Sequence, residues 1–155
     1  MLRLSKLTDY GTVVMTCLAQ ADGDVLRANE VADRTRLGGP TVSKLLKALA
    51  GGGLLDSFRG AHGGYRLARA ASKITVVEII DALEGPVALT ECSETDGACA
   101  QAAHCSVRPN WQRINTAIRD ALGQMTLADL AAPKRAVAMP ARPLRSAGAN
   151  PGCNS

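Results

Sequence analysis

The stretch that decides the fold is NEVADRTRLGGPTVSKLLKALAGGGLLDSFRGAHGGYRLA, residues 29–68. Asn29 to Arg34 suits a short polar helix with little apolar surface of its own, so it must lean on neighbours. Leu37-Gly38-Gly39-Pro40 is a tight turn, and Pro40 fits the first position of a new helix, where its missing N–H would be unpaired anyway. That helix, Thr41 to Ala50, turns Val42, Leu45, Leu46 and Leu49 to one side and leaves Thr41, Ser43, Lys44 and Lys47 elsewhere. Gly51-Gly52-Gly53 stops it. Leu54 to Arg59 reads as a strand, Gly60 to Gly64 as a flexible tip and Tyr65 to Ala68 as the returning strand. Two short helices joined by a glycine-containing turn form a helix-turn-helix. Followed by a hairpin, they form a winged helix, whose second helix enters a major groove while the hairpin lies along the backbone or in the adjacent minor groove.

Working outward, Leu4, Leu7, Val14 and Leu18 lie along one side of a first helix. The run Val13 to Ala19 reads as the buried face of a cytoplasmic helix rather than a signal peptide, since Asp9 and Gly11 interrupt it. Beyond the hairpin, Thr75-Val76-Val77-Glu78 is a capping box opening a helix to about Leu83. Residues 85–108 lose helical periodicity. Pro109 restarts a helix on which Trp111, Ile114, Ile118, Leu122 and Met125 recur every three or four residues, nearly a coiled-coil seam. Thr126 caps one further turn to Leu130. From Pro133 onward, prolines mixed with Ala, Gly, Arg and Ser predict a disordered basic tail over 133–155. The expected organisation is a DNA-binding domain over 1–72, a cysteine loop with dimerisation helices over 73–132, and the tail. The fold class is mostly α with a small β-hairpin.

The composition agrees. Of 155 residues, 46% are hydrophobic but only 3% aromatic, so the core is built from Ala, Leu and Val, which suits small-residue helices better than a β-sandwich. No apolar run approaches the roughly 18 residues of a membrane span. The net charge of +4 is polarised. Residues 1–75 hold eleven Lys and Arg against six Asp and Glu, residues 76–133 three against eight, and the tail four against none. A basic amino-terminal half fits a polyanionic partner.

Five cysteines, an odd number with no export signal before them, point to reduced thiols rather than a disulfide framework. Three form the array Cys92-x6-Cys99-x5-Cys105. Structural zinc sites pair ligands two to four residues apart, and these wider gaps suit thiolates approaching different irons of a cluster. Small neighbours (Ser93, Gly97, Ala98, Ala100) let the backbone wrap closely, and an acidic loop makes burial of three unrelated thiols implausible. Three thiolates leave a cluster one protein ligand short. His104, next to Cys105, and Asp9, if the first helix of a partner chain reaches the loop, are the candidates. No Cys-x-x-Cys, no His/Asp array beside a cysteine and no phosphate-binding glycine loop accompanies the thiols, so the chain reads as a non-enzyme.

These segments together resemble the bacterial IscR/NsrR family of winged-helix iron-sulfur regulators. The resemblance is carried by Leu2 to Tyr10, Gly51 to Leu55, Arg59-Gly60-Ala61-His62-Gly63-Gly64-Tyr65-Arg66-Leu67, Ile74 to Leu83 and the cysteine array. It covers residues 1–132, and Cys105 to Asn115 is most similar to regulators of SUF-type cluster assembly. The resemblance implies a cytoplasmic homodimer whose long helices cross, a 2Fe-2S or 4Fe-4S cluster on Cys92, Cys99 and Cys105, and no membrane association. Some members complete the cluster with a histidine three residues after the last cysteine, and here that place is Arg108, which cannot ligate. Asp9 stands where an amino-terminal carboxylate ligates in the nitric-oxide-sensing branch and is the preferred fourth ligand.

The expected function is a dimeric repressor of cluster-assembly genes that binds a pseudo-palindromic promoter site on double-stranded DNA. Lys44 and Lys47 would meet phosphates or guanine edges, Thr41 and Ser43 would make short polar contacts, and Arg59 and His62 would take a minor-groove or backbone position. The alternatives are a nitric-oxide or redox-sensing repressor of the same family and a zinc-stabilised winged-helix regulator.

Overall fold

The computed structural model describes residues 4–90 and 105–132. In chain order these form α1 (Lys6–Gln20), α2 (Ala28–Thr35), α3 (Gly39–Gly51), β1 (Leu55–Phe58), β2 (Gly64–Leu67), a 3-10 turn at Ala71–Lys73, α4 (Val76–Glu84), α5 (Arg108–Gly123) and α6 (Leu127–Ala131). The winged helix-turn-helix expected from residues 29–68 is present, each boundary falling within a residue or two of the sequence reading. The predicted tail lies outside the described residues, as do Cys92, Cys99 and His104.

Local chemistry explains the helix ends. Ser5 caps α1 by accepting from the Thr8 amide at 3.3 Å. Thr75 accepts from the Glu78 amide while Glu78 accepts from the Thr75 amide at 2.8 Å, so the capping box forms as read. Thr126 and Asp129 repeat the device on α6. Arg36 closes α2 in the left-handed region at φ 57, leading into Gly38 and Gly39.

The core is one cluster. Val14, Met15 and Leu18 of α1 meet Val31 of α2, Val42, Leu45, Leu46 and Leu49 of α3, Leu54 and Leu55 at the hairpin, Ile74 and Ile79 around the start of α4, and Leu127 of α6. Full burial of such side chains is worth about 1.5–3 kcal/mol each relative to exposure. Leu4 departs from the sequence reading: it precedes the helix and is 54% exposed. Leu4 lies ahead of the capping Ser5, outside α1, whose core-facing stripe starts with Leu7 and Tyr10. Val13 is likewise exposed, while Val14 and Met15 on either side of it on the helical wheel are buried.

Two glycines set how closely α4 packs. A Cβ on Gly11 would stand 2.2 Å from Leu83 Cδ1, and one on Gly52, at the end of α3, would stand 2.6 Å from Ala82 Cβ and 3.4 Å from its Cα. The Leu83 side chain can rotate away, but the Ala82 methyl cannot. Beside them, Glu84 Oε1 accepts from the Ser5 amide at 3.0 Å, the Ser5 hydroxyl at 2.6 Å and the buried Thr8 hydroxyl. Hydrogen bonds from Ser5 and Thr8 hold its carboxyl below the usual range.

Gly52→Ala should therefore cost about 1–3 kcal/mol by overpacking. Adding Ala82→Gly should recover part of that despite its own helix-propensity cost of about 1 kcal/mol. Urea titrations of both single variants and the double variant check this, and strict additivity would exclude the contact as the cause.

Candidate nucleic-acid interface and cysteine site

Helix α3 buries Val42, Leu45, Leu46 and Leu49 completely, and that fixes which side faces out. Lys44 and Lys47, three residues apart, share the outer face and are exposed, while Thr41 and Ser43 are half-buried at its margin. Neither lysine makes an ion pair among the described residues, so both charges remain available.

The wing is a two-stranded antiparallel hairpin with register Leu55↔Leu67, Asp56↔Arg66, Ser57↔Tyr65 and Phe58↔Gly64. Its charges divide into two groups. Arg66 is committed, since its guanidinium lies 3.6 Å from Asp56 and 4.9 Å from the centre of the Phe58 ring. Arg59 and His62, at the tip, are exposed and make no ion pair among the described residues. The sequence reading missed a third partner in this sheet: Leu26 pairs with Tyr65, the Leu26 amide donating to the Tyr65 carbonyl at 2.9 Å and the Tyr65 amide to Leu26 at 2.8 Å. The only signal was an apolar pair, Val25-Leu26, directly before a helix.

The segment leading toward the cysteine array is fixed by side chains also missed from sequence. Asn115, only 8% exposed, donates from Nδ2 to the Val87 carbonyl at 3.2 Å and accepts from the Leu89 amide at 3.2 Å. Asp81 accepts from both terminal nitrogens of Arg119, at 3.0 and 2.8 Å, and from the Val87 amide at 3.1 Å. The paired α4 and α5 thus hold residues 87–89 between them.

Cys105 is partly buried just before α5. Asp9 is exposed on the first turn of α1. Among the described residues no group of three or more His, Cys, Asp or Glu side chains is poised around a metal, so Asp9 and Cys105 are not joined into a site by these residues alone. The donor chemistry nonetheless fits an anionic sulfur-ligated cofactor. Arg108, one turn from Cys105, has a buried Nε without a hydrogen-bond partner, a donor aimed away from water beside the end of the array. Cys17, half-buried on α1, stands apart from the array in sequence; burial pushes its thiol up, with Arg34 pulling the other way.

The expected apolar stripe Trp111, Ile114, Ile118, Leu122 and Met125 is only partly covered: Ile118 and Leu122 are half-buried, and Met125 falls just beyond the end of α5. Trp111 is 39%, Ile114 45% and Met125 43% exposed, and Asn115 is the helix's single buried residue among those described. A row of large apolar side chains open to water marks a contact surface. No helix among the described residues is long and apolar enough to cross a membrane.

Lys44→Ala and Lys47→Ala should each weaken DNA binding, and a lysine that neutralises one phosphate should reduce the slope of log affinity against log salt by about 1. Thermal midpoints should stay unchanged because both side chains are exposed. Electrophoretic shifts across a salt series measure the effect.

Comparison with known proteins agrees with this architecture. The chain is 32% identical over 130 residues to protein rrf2 of Nitratidesulfovibrio vulgaris, covering 83% of this chain and 87% of that one. The structure of CymR, the global cysteine regulator of B. subtilis, superposes with a TM-score of 0.63 at 33% identity, covering 84% of this chain and 97% of CymR. IscR of T. potens gives 0.60 at 32% identity over 83% and 85%. Residues 4–133 match the family described as Rrf2, iron-dependent transcriptional regulator. The chain belongs to the Rrf2 family of winged-helix DNA-binding transcriptional regulators, which are not enzymes.

Proposed function

We propose that this chain is a homodimeric, iron-sulfur-sensing repressor of cluster-assembly genes, acting in the cytoplasm on a pseudo-palindromic promoter site. The observation that carries the reading is that Cys105, the last cysteine of the array, stands three residues before the start of α5, where Arg108 has a buried Nε without a hydrogen-bond partner. Residues 1–72 read DNA and residues 73–132 carry the cysteines and the dimer contact.

Two copies joined along Trp111, Ile114 and Met125 cover the open stripe and set two α3 helices side by side. Successive major grooves lie about 34 Å apart, which sets the half-site spacing. Lys44, Lys47, Thr41 and Ser43 take the groove, while Arg59 and His62 take the backbone or minor groove.

Cys92, Cys99 and Cys105 would hold the cluster, with Asp9 of the partner completing it. A bound cluster supplies a redox- and ligand-sensitive crosslink with net negative charge. Arg108 opposes that charge in place of a ligating histidine. The fixed segment 87–89 carries the ordering of the array into α4 and α5. A ligand shifts the two DNA-reading arrangements only by its difference in affinity for them.

Protein purified without oxygen should contain iron and sulfide and absorb visible light, and Ala at Cys92, Cys99 or Cys105 should abolish the absorbance. A colourless preparation containing zinc would establish the zinc-stabilised alternative instead. Asp9→Ala should leave the protein folded but make the chromophore bleach faster in air. Separately, Ile114→Glu should convert the dimer to monomer in sedimentation velocity, with operator affinity falling at least tenfold, about 1.4 kcal/mol. A variant that stays dimeric would exclude the α5 stripe as the contact.

A further inference from the structure

Arg27 occupies the position immediately before α2, where Ser, Thr, Asp or Asn ordinarily accepts a hydrogen bond from the first turn. A guanidinium has five donors and no acceptor, so it cannot cap the helix. Only the other half of the capping arrangement forms, the Arg27 amide donating to Glu30 Oε2 at 2.7 Å. The freed side chain reaches across to the wing, where Nη2 donates to the Ala61 carbonyl at the tip.

We infer that Arg27 is a positioning residue that pins the wing tip to the helix-turn-helix and so sets the reach of Arg59 and His62 relative to α3. The wing is held at two places by two adjacent residues. Leu26 pairs by backbone with Tyr65 at the base, and Arg27 fixes Ala61 at the tip. The tip itself is wound tightly. The Gly63 amide donates to the Gly60 carbonyl at 3.0 Å, and a Cβ on Gly63 would stand 2.5 Å from the Phe58 carbonyl oxygen. Such a unit moves as a body about its base, and one donor at the far end removes that freedom. Because α2 packs on α3, the pin also fixes the distance from wing to recognition helix.

The inference rests on the reading that Arg59 and His62 touch DNA, and two measurements keep the two claims apart. The first uses the full chain and a duplex enriched by the wild-type protein from a random-sequence library. Arg27→Ala should raise Kd about five- to tenfold in the wild-type background and less than about twofold when Arg59→Ala and His62→Ala are already present. Equal losses in both backgrounds would mean that Arg27 contacts DNA itself and would overturn the pin.

The second measurement needs no DNA. Amide hydrogen exchange at residues 60–64 should accelerate in Arg27→Ala while α3 amides keep their rates, and Arg27→Lys, whose ammonium can still donate to one carbonyl, should restore protection. Unchanged exchange at the tip overturns the proposal. Faster exchange with no affinity loss from Arg59→Ala and His62→Ala supports the pin and removes the DNA role of the tip.

Discussion

The structure depends on the close seating of α1 against the last turn of α4. Thr8 is only 1% exposed and donates its hydroxyl to Glu84, and one turn later the bare Cα of Gly11 admits Leu83. A buried hydroxyl without its acceptor costs about 1–3 kcal/mol, so the polar contact and the steric one hold the same register. The α1 helix also packs on α2, α3, α6 and the second wing strand. Helix-turn-helix, wing, α4 and α6 are therefore arranged around one helix, and α5 joins them through α4.

The polarised charge looks different once side chains are placed. Much of the acidic excess after residue 75 is structural. Asp81 is taken by Arg119 and the Val87 amide, and Glu84 by Ser5 and Thr8. Glu78 serves Thr75 and Arg69, and against the upward push of burial those bonds hold its carboxyl low. On the basic side Arg66 and Arg69 are similarly engaged, whereas Lys44, Lys47 and Arg59 make no ion pair among the described residues. Lys44 and Lys47 on the outer side of α3 and Arg59 at the wing tip thus keep their charges open on the faces a winged helix turns toward DNA, a placement net charge alone cannot give.

Much of the fold was legible because its signals are local. Pro40, the Gly51–Gly53 stop, the Thr75 and Thr126 caps and the alternation into the hairpin each act within a few residues. What escaped depends on contacts far apart in sequence. Nothing in Leu26 announces Tyr65, nothing in Asn115 announces Val87 and Leu89, and α6 gives no hint that Leu127 returns to α1. The α5 stripe shows the limit most clearly, since periodicity identifies an apolar face without saying whether the same chain covers it. For the candidate site, the outward lysines of α3 were readable, whereas Cys92 and Cys99 of the spaced thiols lie outside the described residues. Asp9 was named from the resemblance, and the described residues of one chain do not bring it to Cys105.

The ion pair between Asp81 and Arg119 has a mechanical side. With Asn115 its single buried residue among those described, α5 is an oar standing mostly in water, and it enters the body through Asn115 and that bidentate pair. Asp81 immediately precedes Ala82, whose methyl abuts Gly52 at the end of the recognition helix. A torque applied to the outer length of α5 is thus delivered one residue from the contact that seats α3, without passing through the wing.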